Sequence, residues 1–195
     1  MNEHARLISR EEVNALPIRR YEGEVLLVES AADLERALAD CRAERVAGFD
    51  TETRPSFRPG ESYPPALAQF ATARAVYLFR LQRPEQCAAV AELLAHAGLV
   101  KAGVSVADDL KALKKVTPFE ERSVVDLGVI ARQRGMKQTG VRNLAALLLG
   151  FRVTKGTKTS NWAARQLSPQ QIGYAATDAW ACRELYLRFE AQGML

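Results

Sequence analysis

The sequence predicts an α/β fold, a central mixed sheet of five to six strands with helices on both faces. Three observations lead there. Short apolar runs come early, then alternate with helical periodicities, and helices close the chain; that order requires a sheet covered on both sides. The 195 residues, 48% hydrophobic and 26% charged, suffice for one sizeable core. No repeat, low-complexity tract or linker divides the chain, so an N-terminal arm over 1–22 and a single domain over 23–195 are expected.

Taken in order, residues 1–22 read as an irregular arm. The apolar run 24–28 reads as a strand. Ser30 can cap a helix over 31–43, with Leu34, Ala37 and Leu38 on its apolar face. Residues 46–53 form a second strand, and the prolines of 54–64 force an excursion. Runs 66–71 and 76–81 are two short strands about a tight turn. Pro84 opens a helix that Gly98 stops. A brief strand over 99–102 leads to a helix over 106–115, with Ser105 and Asp108 spaced as in a capping box. Strand 124–127 runs into a helix ending near Arg134. After a loop over 135–140, a leucine-rich helix over 141–149 stops at Gly150. Ser168, Pro169 and Gln171 combine a cap, an N1 proline and a capping-box glutamine, and start a helix reaching about Phe189.

Composition excludes several classes. No apolar run approaches the about 20 residues that span a bilayer, so no membrane partner is expected. The polar start lacks a signal-peptide core, which suggests a cytoplasmic address. Cys41, Cys87 and Cys182 are too widely spaced for a zinc pattern and read as buried free thiols. His4 and His96 lie where a histidine base is not expected. A net charge of +4 leans mildly towards nucleic acid.

The stretch that carries chemistry is Gly48-Phe49-Asp50-Thr51-Glu52-Thr53. On a strand, residues two apart point the same way, so Asp50 and Glu52 present two carboxylates on one face with no cation between them. Such a pair is either a solvated strand end or half of a site for a hard divalent cation. In the helix over 106–115, Val106, Leu110 and Leu113 form the apolar stripe. Asp109 falls on that stripe and Asp108 nearly opposite. Asp109 is then either an acid placed for burial, which needs a partner, or one reaching solvent from the stripe's edge. In the last helix Tyr174, Asp178, Ala181 and Leu185 share a stripe, putting a phenol one turn from a fourth acid.

Phe49-Asp50-Thr51-Glu52-Thr53, Lys101-Ala102-Gly103-Val104 with Asp109, and Tyr174-Ala175-Ala176-Thr177-Asp178-Ala179 resemble the three motifs of the DEDD exonuclease superfamily, in order and spacing. The tyrosine four residues before the last aspartate resembles the DEDDy branch; the histidine branch would need a histidine where Gly173 stands. Lys158-Thr159-Ser160-Asn161-Trp162, followed by Leu167-Ser168, is similar to the segment before the third motif in ribonuclease D and in the Werner helicase exonuclease domain. The likeness covers about residues 24–190.

The resemblance implies a ribonuclease H-like fold and 3′-to-5′ release of nucleoside 5′-monophosphates from DNA or RNA with a free 3′ end. It implies two divalent ions, Mg²⁺ or Mn²⁺. Asp50, Glu52 and Asp178 would ligate one ion. Asp50 would bridge to the second, Asp109 would support that one, and Tyr174 would orient the attacking water. Two ions about 3.5–4 Å apart can stabilise both the attacking and the leaving oxygen, so no histidine base is needed. Tyr174 could otherwise be a core aromatic. In the basic loop, Lys155, Lys158 and Arg165 could contact backbone phosphates, and Trp162 could either stack a base or pack the loop onto the domain. A catalytically inactive nucleic-acid-binding module on the same fold is the alternative. Ribonuclease D carries helical domains after its nuclease, whereas this chain ends at Leu195, so no substrate-selecting unit is expected.

Overall fold

The computed structural model describes residues 7–58, 60–154 and 160–195. Its sheet has six strands: β1 (Glu24–Leu27), β2 (Val46–Thr53), β3 (Pro65–Ala71), β4 (Ala75–Arg80), β5 (Val100–Gly103) and β6 (Val124–Asp126), in the order β1-β4-β3-β2-β5-β6. β3 is antiparallel to both β2 and β4, while β1–β4, β2–β5 and β5–β6 are parallel pairs. The sheet is therefore mixed, as the element order predicts. No described helix is long and apolar enough to cross a membrane.

The helices are α1 (Arg10–Ala15), α2 (Ala31–Ala43), α3 (Pro84–Ala95), α4 (Val106–Val116), α5 (Leu127–Gln133), α6 (Val141–Leu144) and α7 (Pro169–Ala191). Strand alternation sorts β2 between two cores. Ala47 and Phe49 face the core made with α2, α3 and α4, where Phe49 meets Phe70, and Phe70 meets Phe79 edge-on. Gly48, Asp50 and Glu52 face the long helix α7. Leu67, Ala71, Val76 and Leu78 line the same side and pack on Ala175, Ala176 and Ala179. Beyond β2, Ala102, Leu127, Leu144, Leu185 and Phe189 close the sheet under α5, α6 and the end of α7.

Three local expectations are corrected. The arm is not wholly irregular: Ser9 and Glu12 make a capping box that starts α1, and Ile8 and Val13 bury against Ala146. The leucine-rich helix is α-helical only to Leu144 and widens to π geometry over Ala145–Leu149 before Gly150, in the left-handed region, ends it. Ser105 makes no side-chain cap bond and sits at φ 61°, so it forms no box with Asp108. The start of α4 is held instead by Asp126, whose carboxylate accepts from the amides of Ser105 (3.1 Å) and Val106 (3.0 Å). The same carboxylate caps α5 through the amides of Gly128 and Val129.

Candidate active site

Two close approaches bring the acids together. A Cβ on Gly48 would lie 1.9 Å from the carbonyl oxygen of Ala179, so only a glycine lets α7 cross β2 at this depth. Asp178 precedes that crossing point and is thereby set against Asp50. A Cβ on Gly103 would meet the Phe49 carbonyl at 2.7 Å, so a glycine there also lets the β5–α4 junction lie close to β2. Asp109 lies in the first turn of that helix.

Asp50, Glu52 and Asp178 each offer a carboxylate oxygen within 4.8 Å of the others. Asp109 reaches the strand from the opposite side of the sheet. The Thr51 hydroxyl, which alternation points away from α7, donates to its Oδ1 at 2.5 Å. The partner that a buried acid on the stripe requires is therefore Thr51. Asp108, next to it, is exposed.

The electrostatics are those of acids crowded out of water. Burial pushes the Asp50 carboxyl well above its usual range, and the charges of Asp178 and Asp109 push it further. Burial also raises Asp178, to about 6, against the opposing pull of a hydrogen bond from Tyr174 and the charge of Arg142. Asp109 is raised by burial and drawn back by Thr51. Burial, then the Asp178 charge, raises the Tyr174 phenol far above its ordinary value, so the hydroxyl stays protonated. Neither Asp50 nor Asp178 is in an ion pair among the described residues. Three converging carboxylates are hard oxygen donors, and a divalent cation would remove their repulsion; the donor set fits Mg²⁺ or Mn²⁺.

The nucleic-acid contacts expected from the basic loop fare differently. Lys155 and Lys158 lie outside the described residues. Arg165 is exposed, and its loop is pinned by Arg80, whose guanidinium donates to the carbonyls of Ala164 and Arg165, both at 2.7 Å. Trp162 is 1% exposed and packs on Tyr174 with ring centroids 6.0 Å apart. Its ring is closed to a base because it fills the space behind the phenol. Sequence reading missed Thr51, Asp126 and Gln69. Asp126, directly before a helix, carried a visible cap signal, but its second role twenty residues away did not. Gln69 pairs across the strands with Asp50, is fully buried, and has neither amide atom bonded among the described residues.

A profile of the family described as 3′-5′ exonuclease matches residues 25–193. The chain belongs to the 3′-5′ exonuclease family. This exonuclease domain is 32% identical over 150 residues to a ribonuclease D of Xanthomonas oryzae, covering 75% of this chain and 40% of the relative. It is 27% identical over 201 residues to the exonuclease mut-7 homolog of Aedes aegypti, covering 90% of this chain and 28% of that one. The chain thus spans well under half of these curated relatives. Among solved structures, the Aedes aegypti Nibbler EXO domain superposes with a TM-score of 0.78 at 26% identity, covering 91% of this chain and 92% of that one. The mixed six-stranded sheet is accordingly the ribonuclease H-like fold.

Proposed function

We propose that this domain removes nucleoside 5′-monophosphates one at a time from the 3′ end of a single nucleic acid strand, with divalent cations held by its acid cluster. The observation that carries the reading is the convergence of Asp50, Glu52 and Asp178 within 4.8 Å, with Tyr174 one helical turn before Asp178 on α7. Bound divalent ions would supply positive charge to the attacking and leaving oxygens of the phosphodiester.

The residues around them do the positioning. Asp50, Glu52 and Asp178 would hold one ion, and Asp50 with Asp109 the second. Thr51 fixes the Asp109 carboxylate towards the strand. Tyr174 stays a phenol and cannot act as a bulk base; its hydroxyl orients the attacking water, held in place by Trp162 behind the ring. An inactive binding module is the weaker reading, because such a copy loses a ligand readily and all four acids and the tyrosine are present here. The ribonuclease D name of the bacterial relative makes RNA the first substrate to test.

The experiment is incubation of 5′-labelled single-stranded RNA and DNA with Mg²⁺ or Mn²⁺. A ladder shortening stepwise from the 3′ end is expected; internal cuts, or binding without cleavage, would overturn the reading. Tyr174→Phe keeps the ring and all four carboxylates. It should lower single-turnover cleavage by about 10²–10⁴-fold while Mn²⁺ affinity stays near wild type. Full activity would return Tyr174 to a packing role.

A further inference from the structure

Outside the acid cluster the molecule holds a concave basic site. A cavity of about 470 Å³ opens between α1 and the segment running from α6 to Thr154. Arg10, Arg142 and Arg152 line it, with the polar side chains of Ser9, Asn14 and Asn143 and no carboxylate among the described lining residues. None of the three arginines is in an ion pair among the described residues. Guanidinium groups gathered around one cavity repel one another, and a polyanion relieves that repulsion.

Two of the arginines are already oriented. Arg152 donates through Nε to the Leu16 carbonyl at 3.1 Å, and its backbone is paired with the arm at Pro17 and Arg19. Arg142 donates through Nε to the Val153 carbonyl at 3.3 Å. Among the described residues the terminal NH₂ groups of both make no hydrogen bond, and the forks are pre-set for phosphate oxygens. Arg142 also ties the cavity to the chemistry, since its helix α6 packs through Leu144 on α7, the helix that carries Asp178. Arg10, by contrast, comes from an arm that precedes the residues matched by the family profile.

We propose that this cavity binds phosphates of the substrate strand on the 5′ side of the nucleotide being removed. The proposal rests on the exonuclease reading of the acid cluster. A strand whose 3′ end lies among Asp50, Glu52 and Asp178 must leave across the surface with its backbone charges uncovered. The cavity lined by Arg10, Arg142 and Arg152 carries the complementary charge. Backbone contacts of this kind position a strand without reading its bases, so DNA and RNA are held alike.

The test is fluorescence anisotropy of labelled single strands, two to ten nucleotides long, in chelator, so that binding is read without cleavage. Wild type should gain affinity with length. Arg10→Gln and Arg152→Gln should each weaken the longest strand by about tenfold, and together make the salt dependence shallower by about 1.4 in log–log slope. Arg10 is exposed and forms no ion pair among the described residues, so its variant should fold; melting curves check both. A second arm uses the p-nitrophenyl ester of thymidine 5′-monophosphate with Mn²⁺, a substrate with no upstream phosphates. The variants' penalty on strands should exceed that on the ester about tenfold. Unaltered strand affinity in the folded double variant, or equal penalties on strand and ester, would overturn the proposal. Wild type that binds strands through these arginines yet cleaves neither substrate would instead sink the exonuclease reading.

Discussion

The two faces of β2 differ by one residue of register and behave as opposites. On one, Ala47 and Phe49 are sealed into apolar packing beneath α2, α3 and α4. On the other, Gly48 admits α7, and Asp50 and Glu52 stand beside Asp178 in a partly buried acid cluster. Burial stabilises on the first face and opposes ionisation on the second. The comparison shows how a strand can hold a self-repelling cluster: the apolar face supplies the stability that the acid face uses. Lys101 is the exception on the apolar side. It is fully buried on β5, with its ammonium donating to the His96 carbonyl at 2.7 Å.

The sharpest way to separate the faces is Asp178→Asn. Cleavage should fall by about 10³-fold or more, because the site loses charge it needs for a divalent ion. The melting temperature in chelator should equal or exceed wild type, since one repelling acid is gone. Retained single-turnover cleavage would count against the cluster. Phe49→Ala should do the reverse. Loss of a fully buried ring should cost about 3–5 kcal/mol by urea titration, while the protein that remains folded still cleaves.

Gly48→Ala breaks the comparison, because it pushes on the boundary between the two faces. The added methyl meets the α7 backbone, so α7 must lift. Stability should drop by about 1–3 kcal/mol and cleavage should fall with it, read from the same two measurements. The smallest effect is expected at Lys101. Burial lowers its pKa from 10.5 to about 8. The unfolded chain therefore binds more protons than the native state between those values, so stability rises with pH across that window. Lys101→Met should remove the rise and stabilise the protein at pH 7 by about 1–2 kcal/mol. Denaturation at pH 7 and pH 10 checks both the size and the sign.

Much of this was legible in the chain because it is local. Period-two alternation placed Asp50 and Glu52 on one face, helical phase separated Asp109 from Asp108, and one turn of helix joined Tyr174 to Asp178. Element order was sufficient for a mixed sheet with helices on both faces. The resemblance of three motifs named the family that the profile then matched.

What only the tertiary structure decided depends on contacts between residues far apart in the chain. Ser105 and Asp108 have capping-box spacing, yet Asp126 takes the amides at the start of α4, because β5 and β6 are neighbours and bring its carboxylate there. Trp162 sits in a polar loop and reads either as a stacking platform or as an anchor that packs the loop; the structure decides for packing, since Trp162 is buried behind Tyr174 and a large ring gains more from packing than from water. That Asp109 meets β2 from the side opposite α7, with Thr51 as its partner, follows from the crossing of strands and helices at Gly48 and Gly103. Periodicity along the chain carries no record of how deep such a crossing runs.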